Sequence, residues 1–322
     1  MKEKTTIPIC FASDKNYLQH LAVAIASILA NKAESDALRF YILENTFTDA
    51  DRDALNQLKA IADFEIHYLP VKGRLLELCP VKIDNAHQHI SIETYFRLFI
   101  PELIPNENKI IYLDCDVVVL CSLAELYTMD FGNHCVLGVR DIDSRINAKR
   151  MRTRRYINAG VLLMNSKRMR EKSAYQQFAD YIANHRETIR WHDQDVLVAV
   201  LDGHIGYVSD AWNAQITFEK KIRFSKPPRI VHYVGSHKPW KPAGVNRPYA
   251  DAYFRYLALT PYKDVPKPSV KRSVFSVFRR RVKTFLNPLT SLFFSRKRSA
   301  GGTYNAFRIL GFRFKRRRDP LK

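Results

Sequence analysis

The stretch Lys109-Ile-Ile-Tyr-Leu-Asp-Cys-Asp-Val-Val-Val-Leu120 limits the fold more than any other part of the chain, because it sets Asp114 and Asp116 inside an otherwise apolar run. Such a run reads as a strand buried on both faces. Residues i and i+2 of a strand share a face, so the two carboxylates would converge. Bringing like charges together away from water is costly unless a cation or hydrogen-bond donors compensate. A divalent ion held by hard oxygens meets that cost and would bridge to phosphates. On spacing alone a second reading stays open: the strand ends at Asp114 and both acids are solvated turn residues.

The residues before this run alternate in a regular way. The apolar run 7–12 leads into a polar turn at 13–16 and then a helical pattern through Leu21, Ala24, Ile25, Ile28 and Leu29. Strand-like runs follow at Leu38–Leu43 and Phe64–Leu69, with a helical pattern over Asp51–Ile61 between them. Strand–helix–strand–helix–strand predicts an α/β sheet built largely from parallel strands. Farther on, helices are expected over Thr94–Leu103, Arg168–Ala183 and Val196–Leu201, and strands at Cys135–Val139 and Val161–Met164.

Charge divides the chain. Of 52 Lys+Arg and 32 Asp+Glu, residues 263–322 hold 18 and 2, which leaves 34 and 30 for residues 1–262. Most of the net charge of +20 therefore lies in the tail. We expect two parts, a near-neutral body at 1–262 and a tail at 263–322 opened by a proline-containing linker. In the tail Val274, Phe275, Val277, Phe278, Val282, Phe285 and Leu286 interleave with Arg279, Arg280, Arg281 and Lys283, which predicts a basic amphipathic helix. Leu292, Phe293 and Phe294 continue its apolar side. Such a segment fits an anionic membrane surface, at about 1 kcal/mol per basic residue. Nucleic acid is not expected, since no base-reading motif accompanies the charge. The five cysteines include no CxxC pair and read as free thiols, and neither a signal h-region nor an apolar run of spanning length is seen. A cytoplasmic protein, peripheral on the inner face of the membrane, is the expectation.

Other strings could carry chemistry. Ile230-Val-His-Tyr-Val-Gly-Ser-His-Lys-Pro-Trp240 offers His232 as a metal ligand, Gly235 for close backbone approach and Lys238 as a phosphate-binding charge. A lone histidine in a strand is more often a satisfied structural histidine than a ligand. Asp193 or Asp195, just before the apolar run 196–201, could be a helix N-cap or could face sugar hydroxyls together with Gln194. Asn158 could be a turn residue or present its amide to a substrate. Paired acids also serve metal-dependent phosphohydrolases and nucleotidyltransferases, and a non-catalytic membrane- or nucleic-acid-binding protein is a further reading.

Six strings in order resemble glycosyltransferase family 8: Phe11-Ala-Ser-Asp-Lys-Asn-Tyr17, His89-Ile-Ser-Ile-Glu-Thr-Tyr-Phe-Arg-Leu98, Tyr112-Leu-Asp-Cys-Asp116, Asn158-Ala-Gly-Val-Leu-Leu-Met-Asn165, Asp193-Gln-Asp195 and His232-Tyr-Val-Gly-Ser-His-Lys-Pro-Trp240. They cover roughly residues 5–260. The resemblance implies an α/β GT-A (Rossmann-like) domain and a retaining enzyme that moves galactose or glucose from a UDP-sugar to a lipopolysaccharide, lipooligosaccharide or other saccharide or glycolipid acceptor. It implies Mn²⁺, with Mg²⁺ as the alternative, held by Asp114, Asp116 and His232. It places Ala12, Asp14, Asn16 and Tyr17 against the nucleotide, Gly235 and Lys238 against the phosphates, and Arg97, Asp114, Asp141 and Asn158 on the donor. Gln194, Asp193 and Asp195 fall at the reacting centre, with Gln194 stabilising charge in a front-face transfer. Lys15 departs from a common acid, and Ile157 from a frequent aromatic.

Overall fold

The computed structural model describes residues 5–72, 77, 92–217 and 224–269, and in the tail residues 294–299, 302–309 and 312–316. The first half runs β1 (Thr5–Ala12), α1 (Leu18–Asn31), β2 (Asp36–Glu44), α2 (Asp49–Asn56), β3 (Glu65–Pro70), α3 (Ile100–Leu103), β4 (Ile110–Leu113), β5 (Val117–Val119) and α4 (Ala124–Thr128). Then come β6 (Val136–Arg140), α5 (Ser144–Met151), β7 (Ile157–Met164), α6 (Ser166–Glu171), α7 (Ala174–His185), α8 (His192–Val200), β8 (Ile205–Tyr207), β9 (Ala214–Gln215), β10 (Ile230–His232) and α9 (Ala250–Leu257).

The opening βαβαβ unit forms as the periodicity predicts, with β1 parallel to β2 and β2 parallel to β3. A capping box starts α2: Thr48 Oγ1 accepts from Asp51 N, and the Asp51 carboxylate accepts from Thr48 N at 2.8 Å. The seven-stranded sheet has the order β3-β2-β1-β4-β7-β6-β8, and it is mixed because β7 runs antiparallel to both β4 and β6. After β3 the chain returns on the far side of β1, where β4 pairs parallel with it. This reversal of strand order opens a crevice at the carboxyl ends of β1 and β4. Both faces of the sheet are covered. Ile7, Ile9, Phe11, Ile111 and Leu113 pack on one side, while Cys10, Ile110, Tyr112, Leu162 and Met164 pack on the other, as the two-residue period requires.

The run at 109–120 is not a single strand. β4 ends at Leu113, the chain turns through Asp114, Cys115 and Asp116, and β5 leaves for a second, three-stranded sheet of order β5-β10-β9. The two acids therefore converge through a turn between sheets and not through the pleat. The small sheet is tied to α1. Ser27 Oγ donates to Ala24 O at 2.7 Å and accepts from Val119 N at 2.9 Å, and Asn31 Nδ2 donates to Val119 O at 3.1 Å. These bonds satisfy a residue of an edge strand that has no neighbouring strand on that side.

Other departures have local causes. The segment expected as a helix over 94–103 is a 3₁₀ turn at Ile92–Phe99 followed by α3, where Pro101 occupies the first turn, the place an α-helix accepts it. The helix expected over 168–183 breaks into α6 and α7 at Ser173, which takes a left-handed φ of 51°. α8 begins at His192, earlier than periodicity alone suggests, so Asp193 and Asp195 lie inside its first turn and Trp191 occupies the N-cap position. Neither acid is an N-cap. Among the described residues Cys10, Cys115, Cys121 and Cys135 are free thiols, and no helix is long and apolar enough to cross a membrane.

The chain divides into two compact units, Met1–Pro268 and Ser269–Lys322. The first runs past 262 because Lys267 pairs with Asp251 at 2.9 Å and sits over the Phe254 ring at 4.6 Å. In the second, β11 (Phe294–Ser299), β12 (Gly302–Ile309) and β13 (Phe312–Arg316) form an antiparallel sheet of order β11-β12-β13. This corrects the helical expectation from Phe294 onward, and the alternation Phe312-Arg-Phe-Lys315 has the two-residue period of a strand. The expected amphipathic helix through 274–286 lies outside the described residues.

Candidate active site

A cavity of about 460 Å³ opens at the carboxyl ends of β1 and β4. On one side the turn after β1 supplies Ala12, Ser13, Asp14 and Tyr17, and Asp14 caps that turn by accepting from Tyr17 N at 3.0 Å. On the other, the first turn of α8 supplies Asp193 and Gln194. The turn at 114–116 and the end of β10 form the floor.

Asp114, Asp116 and His232 each bring one ligand atom to within 4.8 Å of the others, a set that could hold a metal ion. His232 Nε2 stands 3.2 Å from Asp116 Oδ1 and 3.6 Å from Asp114 Oδ2. Asp116 is also bonded by Lys238 Nζ, which bonds Tyr233 O at 2.6 Å as well. Burial works against charge on Asp116, but Lys238 and His232 outweigh it and hold the carboxyl well below the usual range. Two carboxylates and an imidazole suit a transition-type divalent cation. Gly160 makes the space: a Cβ there would lie 2.3 Å from His232 Cε1 and 2.6 Å from Asp114 Oδ2. Its carbonyl accepts from Asp114 N at 2.8 Å. The residues fit a bound metal.

Arg97 joins this cluster to the other wall. Its guanidinium lies 2.9 Å from Asp114 Oδ1, 2.9 Å from Asp193 Oδ2 and 4.4 Å above the Tyr112 ring, and it donates to Ala159 O at 2.6 Å. Asp193 accepts from Thr94 Oγ1 at 2.5 Å, and burial pushes its carboxyl up to about 6 against the pull of Arg97. Burial likewise raises Asp141, which accepts from Asp143 N at 2.8 Å. Gln194 is held at both ends, with Oε1 accepting from Ala159 N at 3.0 Å and Nε2 lying 3.4 Å from Asp141 Oδ2. The result is a cavity with one wall of acids and amides and a floor where two carboxylates and an imidazole converge beside Lys238.

The family model for glycosyl transferase family 8 matches residues 8–244. The chain belongs to that family. A putative glycosyltransferase of Haemophilus influenzae is 29% identical over 247 residues, covering 73% of each chain. The lipopolysaccharide 1,2-glucosyltransferase of Escherichia coli is 23% identical over 298 residues, covering 86% of this chain and 85% of that protein. The galactosyltransferase LgtC, solved with donor and acceptor sugar analogs, is similar with a TM-score of 0.69 and 26% identity, covering 81% of this chain and 98% of that one. The fold is the GT-A fold, and the chain is a glycosyltransferase-family enzyme.

Of the site residues expected from sequence, all but Asn16 and Asp195 line the cavity. Asn16 is exposed and donates to Asp14 Oδ2 at 2.9 Å, serving the turn. Asp195 is fully buried. Arg150 at 2.6 Å and Tyr156 Oη at 2.5 Å meet its Oδ1, and Arg190 N at 2.8 Å and Trp191 N at 3.0 Å donate to Oδ2. It ties the segment at Arg190 and Trp191 to the first turn of α8, which carries Asp193 and Gln194. Gly160, Thr94 and Gln215 line the cavity without having been singled out. Thr94 and Gly160 lie within the family strings, Gln215 outside them, and Gly160's need for hydrogen in place of Cβ arises once β4 and β10 are brought together.

Burial works to raise Asp195, but its four donors outweigh that and hold the carboxyl below 3.8, the ordinary value. A depressed carboxyl stabilises the fold above its ordinary value and loses that contribution as pH falls through the folded value. Asp195→Asn is therefore expected to cost about 3 kcal/mol at pH 7. In urea unfolding from pH 7 to pH 3, the gap to wild type should narrow below about pH 4, and a gap constant across that range contradicts this role.

Proposed function

We propose that the enzyme is a metal-dependent, retaining hexosyltransferase that moves galactose or glucose from a UDP-sugar to a surface saccharide or glycolipid acceptor. The observation that carries this reading is the convergence of Asp114, Asp116 and His232 beside Lys238 on the floor of a cavity walled by Arg97, Asp141, Asn158, Asp193 and Gln194. The names of its relatives, a galactosyltransferase with donor and acceptor analogs and a lipopolysaccharide glucosyltransferase, support the substrate class.

In this reading Asp114, Asp116 and His232 hold Mn²⁺ or Mg²⁺, which when bound supplies Lewis-acid neutralisation of the diphosphate leaving group. Lys238 adds a point charge for a phosphate, and Gly235, at φ 77°, lets the backbone turn close to it. Ala12, Asp14 and Tyr17 meet the nucleotide. Asp141, Asp193 and Asn158 orient the sugar hydroxyls, with Arg97 fixing Asp193. Gln194 is a poor nucleophile, so its carbonyl dipole faces the positive charge that develops at the anomeric carbon while the acceptor enters on the leaving-group side. The transfer is front-face and needs no covalent intermediate.

Incubating the purified protein with a panel of UDP-hexoses is expected to release UDP slowly from one of them with Mn²⁺, and not with EDTA. Release that persists undiminished in EDTA overturns the metal-dependent reading. Phosphate or pyrophosphate as the product would instead favour hydrolase or nucleotidyl chemistry.

The tail extends the proposal to a place of work. Residues 269–322, with 16 basic residues against 1 acidic one, would hold the enzyme to an anionic, inner-face membrane surface where lipid-linked acceptors lie. Full-length protein should co-sediment with vesicles containing phosphatidylglycerol, and less so in high salt. A version lacking residues 269–322 should stay in solution. Equal sedimentation of both forms sinks this part.

A further inference from the structure

Asn213 does not line the cavity. It closes the 3₁₀ turn Asp210–Asn213 just before β9 and is 1% exposed. Backbone contacts place that turn, since Arg229 N donates to Ala211 O at 2.8 Å and Ala214 pairs with Val231. Its side-chain amide faces two ways. Oδ1 stands 3.0 Å from His232 Nδ1, and Nδ2 donates to Asn158 Oδ1 at 2.9 Å.

A carbonyl oxygen can only accept, so His232 donates from Nδ1 and its lone pair lies on Nε2. Nε2 is the atom turned toward Asp116 Oδ1 and Asp114 Oδ2. At the other end, Asn158 Oδ1 also accepts from Gly160 N at 3.1 Å. With two donors on its oxygen, Asn158 must point its NH₂ the opposite way, where it lies 3.4 Å from Asp141 Oδ2. One buried amide thus sets the ligating nitrogen of His232 and the direction of Asn158.

We infer that Asn213 is a positioning residue that presents His232 Nε2 for metal binding and, through its NH₂, orients Asn158 toward the donor sugar. This rests on the metal reading above. An outer partner that fixes an imidazole tautomer typically controls metal affinity by 10–100-fold. The two halves of the amide separate the two roles. Asn213→Asp keeps an oxygen acceptor for His232 Nδ1 and loses the donor to Asn158, whereas Asn213→Ala loses both.

The test is a titration of the full-length protein with Mn²⁺ in the presence of UDP, reading free Mn²⁺ by its paramagnetic resonance signal against a UDP-only control. UDP-hexose KM is measured alongside, with thermal melting as the check on folding. Asn213→Ala should weaken Mn²⁺ binding by about 10–100-fold. Asn213→Asp should stay within about threefold of wild type for Mn²⁺ and still show a raised donor KM. Should the alanine variant fail to fold, that split in Asn213→Asp carries the test. Wild-type Mn²⁺ affinity in Asn213→Ala, or equal loss in a folded Asn213→Asp, overturns the inference while leaving the metal reading intact. A wild-type protein that takes up no Mn²⁺ overturns both.

Discussion

The organisation of the site follows from an electrostatic problem at the turn between β4 and β5. Asp114 and Asp116 sit within reach of one imidazole in a region that is largely shielded from water, where unscreened like charges repel strongly. The surrounding side chains are arranged against that repulsion. Arg97 faces Asp114 from the 3₁₀ turn before α3, and Lys238 faces Asp116 from the loop after β10. Each cation is itself buried, so each depends on its acid as much as the acid depends on it. Removing either partner would strand a charge.

That problem also explains why the enzyme has two sheets. Ending β4 at Leu113 and sending β5 into a second sheet lets β10 deliver His232 from another direction. Tyr233 N then donates to Asp116 O at 3.0 Å, so the backbone of one ligand holds the backbone next to another. Ser27 and Asn31 on α1 lock the small sheet in place, and α1 itself is positioned by the βαβ unit. The geometry of the three side chains is thereby tied to the largely buried helix α1.

What was legible in the sequence was local. The apolar periods from β1 to β3 place strands and helices without help from distant residues, and the acid pair stood out because it interrupted an apolar run. Both readings of that run were half right: the strand does stop before Asp114, yet Asp116 is largely buried and Asp114 is only part-exposed in the cavity. Asp195 shows the opposite case. Its place beside Gln194 suggested chemistry, but one residue along a helix rotates a side chain by about 100°, which turns Asp195 inward toward Arg150 and Tyr156. Gly160 and Asn213 were not legible as site residues at all, because the partners that define them are distant in the chain. From Phe294 onward the tail's alternation of aromatic and basic residues fits a strand as well as a helix face.

The family relationship and the geometry support one another at different levels. Membership of glycosyl transferase family 8 establishes the class of reaction, and in the proposed mechanism Gln194, held between Ala159 N and Asp141, is the side chain set against the reacting carbon. The central claim is that the three converging ligands hold one divalent ion. Anomalous scattering from crystals grown with Mn²⁺ and UDP tests it most directly. The account predicts a single manganese peak at Asp114, Asp116 and His232, beside the UDP diphosphate. Ordered UDP with no manganese at these residues, or manganese bound elsewhere, would contradict it.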